Sequence, residues 1–226
     1  MSIWTSRGLS GAAALFMLLA GCAVPGASPP QTQTVAGGAV VVAGPRGYCI
    51  DRAGSRAAAD SSFVLLGSCA AISGDASAPR PLFPAVLTVT VAPKPPGTGA
   101  IADQAGILER YFAAPEGRAA MARDGDPESV EIVETMTRDG LFIVHARDRL
   151  AETDDALTPD RWRAIFDLNG QIVNASVTGM DIRPITRDVG LALVSRFAAR
   201  IREETRAAAA EKQAAPPLPD NPAPGG

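Results

Sequence analysis

Residues 130–147 read VEIVETMTRDGLFIVHAR and residues 162–178 read WRAIFDLNGQIVNASVT, and these two stretches decide the fold. Asp139-Gly140 and Asn169-Gly170 are turn signals, because Asp, Asn and Gly tolerate the positive φ of a type I′ turn and β-branched, apolar runs flank each pair. The pattern predicts two consecutive antiparallel hairpins, Val130 to Thr137 with Leu141 to Arg147, and Trp162 to Leu168 with Gln171 to Thr178. In the second hairpin Trp162, Ala164, Phe166 and Leu168 share one face, and Arg161, Arg163 and Asp167 share the other. Period-two alternation therefore predicts one buried and one wet side.

Strand signals also lie upstream. Ala39-Val40-Val41-Val42-Ala43 is a short β-branched run broken by Gly44-Pro45-Arg46-Gly47 before Tyr48-Cys49-Ile50, which predicts a hairpin or corner. Ser62 to Leu66 and Ala85 to Val91 read as two further strands, the second stopped by Pro93 and Pro95-Pro96. From Ile101 to Arg123 the period changes: Ile101, Ala105, Leu108 and Phe112 recur at helical spacing, and Ala114-Pro115-Glu116 restarts a second short helix. After the hairpins, Val189, Leu193, Phe197 and Ile201 fall four apart on a long helix starting near Thr186 or Asp188, with a polar extension to Gln213.

Strands, a helical connection, two hairpins and a terminal helix describe an α+β domain whose antiparallel sheet packs one face under helices. This order of elements resembles the PsbP-like architecture, a fold type that leaves function open.

The chain has 226 residues, with 21 Lys and Arg against 24 Asp and Glu, one His and three Cys. A net charge of -3 supplies no general field for nucleic acid, so DNA or RNA partners are not expected. Residues 1–21 carry Arg7 as their one charge, and Leu9 to Ala20 is a small, apolar run too short to span a bilayer but suited to a signal peptide. It ends in Leu19-Ala20-Gly21-Cys22, which resembles the lipobox of bacterial lipoproteins. The resemblance implies diacylglycerol attachment to Cys22, cleavage before it and acylation of the new N-terminus, hence a membrane partner through the lipid. Ala23, in place of Asp, implies the outer membrane, with the protein facing the periplasm.

Residues 22–38 then read as the lipidated N-terminus and a flexible tether, 39–213 as one α+β domain, and 214–226 as a Pro-rich disordered tail. Cys49 and Cys69 remain for a disulfide, since disulfides persist in exported proteins. Their spacing matches neither C-x-x-C nor a four-ligand cluster, and no metal or cofactor is expected.

Candidate catalytic groups are few. His145 lies in Leu141 to His145, on the face opposite Phe142 and Val144, and reads as a structural histidine in preference to a general base, because no G-x-S-x-G elbow or reactive-Cys signature accompanies it. Glu152, Asp154, Asp155 and Asp160 gather in the connection between the hairpins without an EF-hand spacing and read as a polar loop. The expected role is a lipid-anchored binding or assembly module with an envelope protein partner. The competing role is a small envelope hydrolase without a local motif. Whether the chain is an enzyme is left open, with binding favoured.

Overall fold

The structure, a computed structural model, describes residues 28–58, 60–149 and 156–214. Strands β1 (Thr32–Val35) and β2 (Val40–Ala43) pair as a small antiparallel ribbon. Seven more strands form one antiparallel sheet: β3 (Tyr48–Ala57), β4 (Ser62–Ser68), β5 (Ala85–Pro93), β6 (Val130–Arg138), β7 (Leu141–Asp148), β8 (Leu157–Leu168) and β9 (Gln171–Met180). Their order is β3-β4-β5-β9-β8-β7-β6. Short helices α1 (Cys69–Ser73), α2 (Ala105–Ala113) and α3 (Pro115–Ala119) interrupt the strands, and α4 (Arg187–Ala214) ends the fold. The protein is thus an α+β fold with a long C-terminal helix.

Both turn signals close their hairpins as the residue types require. Arg138 pairs with Leu141 and Leu168 with Gln171, and all four intervening residues have positive φ: 52° and 70° at Asp139 and Gly140, 49° and 73° at Asn169 and Gly170. That is the type I′ geometry whose twist matches the strands.

The main core lies between the sheet and α4. Trp162, Ala164 and Phe166 of β8 and Val173, Ala175 and Val177 of β9 meet Val194, Phe197, Ala198 and Ile201 of the helix. Thr186 caps the helix, its Oγ1 accepting from the Val189 N–H. A Cβ on Gly190 would sit 2.3 Å from the Trp162 indole, so this first turn approaches the sheet as closely as a backbone without a side chain permits. Further along, Thr205 Oγ1 accepts from the Val41 N–H at 2.9 Å and fastens the helix to β2. No helix among the described residues is long and apolar enough to cross a membrane.

Two expectations change. The face of the second hairpin read as wet is covered, because α2 and α3 pack there with Phe112 and Met121 against Phe142, Val144, Ala146 and Ile165. The polar residues on that face fasten this second layer. Arg161 and Arg163 donate to the Met121 and Ala120 carbonyls at the end of α3, and the Asp167 carboxylate accepts from the Ile101 N–H at 2.6 Å. Burial depresses both guanidinium pKa values, Arg163 to about 10. The tether expected through Gly38 is also shorter: residues 32–38 form β1 and a 3-10 turn, because β1 finds a partner in β2 and Val35 is buried. Residues 1–27 and 215–226, including Cys22, lie outside the described residues.

Cys49 and Cys69 are joined by a disulfide across a sequence separation of 20. A loop of that length gives the bond about 3 kcal/mol of stability through the unfolded chain. The Cys49→Ala, Cys69→Ala double variant should lose about that much in urea unfolding, whereas unreduced wild-type protein should show neither cysteine as alkylatable. Gly190→Val should cost about 2 kcal/mol or more through overpacking against Trp162, read from the same unfolding curves; an unchanged midpoint would mean that the helix is not seated there.

Candidate functional sites

His145 reaches its position by strand parity. On β7 it shares the core face with Leu141 and Ile143, opposite Trp162 on β8 and Glu134 on β6. Its ring stacks on the indole at 4.5 Å between centroids, and the residue is 5% exposed. Nε2 lies 2.8 Å from Asp160 Oδ1, and because a carboxylate only accepts, Nε2 carries the hydrogen. Nδ1 faces Glu134 at 3.6 Å, too far for a hydrogen bond. Asp160 also receives Arg147 at 3.3 Å, and Glu134 receives Arg187 from the first turn of α4.

Asp160 is therefore no loop acid. It lies in β8, because the strand begins at Leu157 and takes in the end of what was expected to be the polar connection. The hydrogen bond from His145, then the Arg147 charge, hold its carboxyl below the usual range against the effect of burial. Arg187 does the same for Glu134. Among the described residues no Ser, Thr or Cys side chain hydrogen-bonds to His145, so the network couples the start of α4 to β6, β7 and β8 but presents no nucleophile. Among the described residues no group of three or more side chains is arranged to hold a metal ion. Glu152, Asp154 and Asp155 lie outside the described residues.

A different site was not visible in the sequence. The turn between β2 and β3, the loop before β5 and the flank of α4 enclose a cavity of about 360 Å³ lined by Arg46, Arg80 and Arg196 with Leu82, Phe83 and Leu193. Gly47 makes this possible. It has φ of 90°, and a Cβ there would meet the backbone of Arg80 and Pro81 at 2.5 Å. The Gly47 carbonyl accepts from the Cys69 N–H at 2.9 Å, and the disulfide holds the same two segments together. The buried Tyr48 hydroxyl donates to the Phe83 carbonyl, and burial pushes its pKa up. Arg183 lies over the Phe83 ring, 5.4 Å from its centroid, and donates to the Leu82 carbonyl at 3.0 Å.

The charges of this cavity differ from those of another hollow in the fold. A larger concavity of about 460 Å³ between α2 and β6 holds Glu128, Glu131 and Glu134 together with Arg118 and Arg149, and there Arg118 pairs with Glu128. The arginine cavity has no carboxylate in its lining, and among the described residues Arg46 and Arg196 make neither an ion pair nor a hydrogen bond. Gly-Pro-Arg-Gly at 44–47 reads as a breaker in the sequence, and neither it nor Pro-Arg-Pro at 79–81 says anything of the other.

Asp160→Ala should destabilise the protein by about 2 kcal/mol at pH 7, since it leaves the buried His145 Nε2–H without an acceptor. Because the folded pKa of Asp160 is depressed, the charge contribution is full above the ordinary Asp value near 4 and is lost as pH falls through the lower folded value. Urea unfolding at a series of pH values should show the two proteins converging in acid; a constant gap would assign the loss to packing.

No protein-family model matches the chain, and no curated protein sequence does. Among solved structures a mutant of the protein Mog1 is matched with a TM-score of 0.36 and 11% identity, over 80% of this chain and 88% of that one, a likeness too low to carry fold or function across.

Proposed function

We propose that this protein is a lipid-anchored module of the bacterial cell envelope that works by binding, attached through Cys22 to the outer membrane and facing the periplasm. The observation that carries the binding role is the arginine-lined cavity, a concave surface with fixed walls and unpaired cations but no group suited to general base or nucleophile. The one histidine is instead buried against Trp162, with Asp160 on its Nε2, an arrangement that supports a structural role. Among the described residues no hydroxyl or thiol hydrogen-bonds to His145, so the histidine lends no support to a hydrolase that uses a side-chain nucleophile.

Support for the location is of a different kind. The apolar run before Leu19-Ala20-Gly21-Cys22 resembles a lipoprotein signal, and a disulfide agrees with an oxidising compartment. Two or more acyl chains on one terminus give stable membrane attachment where one gives only marginal binding. Nucleic acid has no place in this reading, and an envelope protein is the expected macromolecular partner.

Cell fractionation tests the anchor. With Cys22→Ser the protein should leave the membrane pellet on a salt wash and keep its uncut leader, and persistence of a matured form in the pellet sinks the lipoprotein reading. Crosslinking in cells followed by pull-down tests the role: partners should be lost when Arg46 and Arg196 are changed and retained in a folded His145→Gln protein. A cellular phenotype that follows His145→Gln with partners unchanged would favour catalysis.

A further inference from the structure

We propose that the cavity between the β2–β3 turn, the loop before β5 and α4 binds an anionic amphiphile, a phosphate or carboxylate head joined to a hydrocarbon part. This deepens the reading of the protein as a binding module and rests on it. The head group follows from charge. In a chain of net charge -3, where Arg118, Arg147, Arg187 and Arg200 each face a carboxylate, three arginines from three separate segments line one cavity without any. A guanidinium presents a planar fork of donors that fits a phosphate or carboxylate with two parallel hydrogen bonds, so unpaired arginines around one hollow select that geometry.

The hydrocarbon part follows from the rest of the lining. Phe83 and Leu193 form apolar wall, and Leu82 at the mouth is 69% exposed. Ile182, beside Arg183 in the chain, is 84% exposed. An inorganic anion would use the arginines and leave these side chains in water. An amphiphile covers both.

The walls are set before any ligand arrives. Gly47 packs against the Arg80 and Pro81 backbone, Tyr48 holds Phe83, Arg183 covers its ring, and the disulfide ties β3 to the start of the segment that leads to Arg80. Such preorganisation lowers the ordering cost that binding otherwise meets. A volume of about 360 Å³ takes a head group and the first part of a chain, with the remainder leaving past Leu82 at the mouth. The amphiphile is either a lipid still in a bilayer or a free monomer, and the chemistry of recognition is common to both.

The full chain carrying Cys22→Ser, which leaves no acyl group of its own on that sulfur to compete, is titrated with monomeric dodecyl phosphate, dodecyltrimethylammonium and inorganic phosphate. Dodecyl phosphate should bind saturably, and Arg46→Gln and Arg196→Gln should each weaken it about tenfold, while Arg52→Gln, outside the cavity, leaves it unchanged. Flotation with phosphatidylcholine vesicles identifies the source. Binding that requires added phosphatidylglycerol and the same arginines marks a bilayer lipid, and dodecyl phosphate binding without flotation marks a free amphiphile. Equal affinity for the ammonium amphiphile, equal affinity for inorganic phosphate, no binding of dodecyl phosphate, or arginine variants that stay folded and bind like the parent would each overturn the proposal. Membrane attachment through Cys22 is read by fractionation alone, so a failed cavity leaves the anchor reading standing and a failed anchor leaves the cavity to be judged on its own titration.

Discussion

The seating of α4 on the Trp162 indole is the contact on which the rest of the structure depends. The indole is held on one side by the His145 ring and on another by the bare backbone of Gly190, so helix and sheet approach more closely there than side chains would allow. That approach fixes the height of the helix over β8 and β9, and Val194, Phe197 and Ile201 then fall into the same layer as Phe166 and Val177. At 28 residues the helix is about 42 Å long, enough to cross the sheet and reach β2, where Thr205 meets Val41. Its polar outer face carries Arg200 with Glu203 and Glu204, and also Arg196, which has no such partner among the described residues.

The second layer uses a different device. Apolar contact between Phe112 and Phe142 is supplemented by buried arginines whose hydrogen bonds end at the carbonyls closing α3. Those carbonyls lack helical partners, and a guanidinium from the sheet satisfies them while locking the short helix in place. Burying charge costs free energy, which is visible in the depressed pKa of Arg163, but leaving the carbonyls and the guanidinium both unpaired would cost more. The polar stripe of β8 is thus a set of fasteners between layers.

The proposed binding role rests on cations that line a cavity without acids. The histidine network and the arginine cavity differ in how charge is met: Asp160 and Glu134 each face a cation, whereas the lining of the arginine cavity holds no carboxylate. The cavity depends on tertiary restraints, the disulfide and the Gly47 contact, which bring together residues that lie far apart in the chain.

The sequence by itself determined the elements governed by short-range physics. Asp139-Gly140 and Asn169-Gly170 encode their turns through φ alone, the alternation of Trp162, Ala164 and Phe166 sets the core face, and the four-residue recurrence from Leu193 to Ile201 sets the buried stripe of α4. Only the tertiary structure decided what covers the other face of the sheet, because a polar side chain has the same alternation whether it meets water or the end of a helix. The same reason hid β1, which is composed like a linker and becomes a strand through pairing with β2. It hid Asp160 as the partner of His145, since their meeting depends on where β8 begins and on its register with β7. Arg46, Arg80 and Arg196 share a cavity through chain closure over long separations, and such closure is set by packing of the whole core, which no local pattern records.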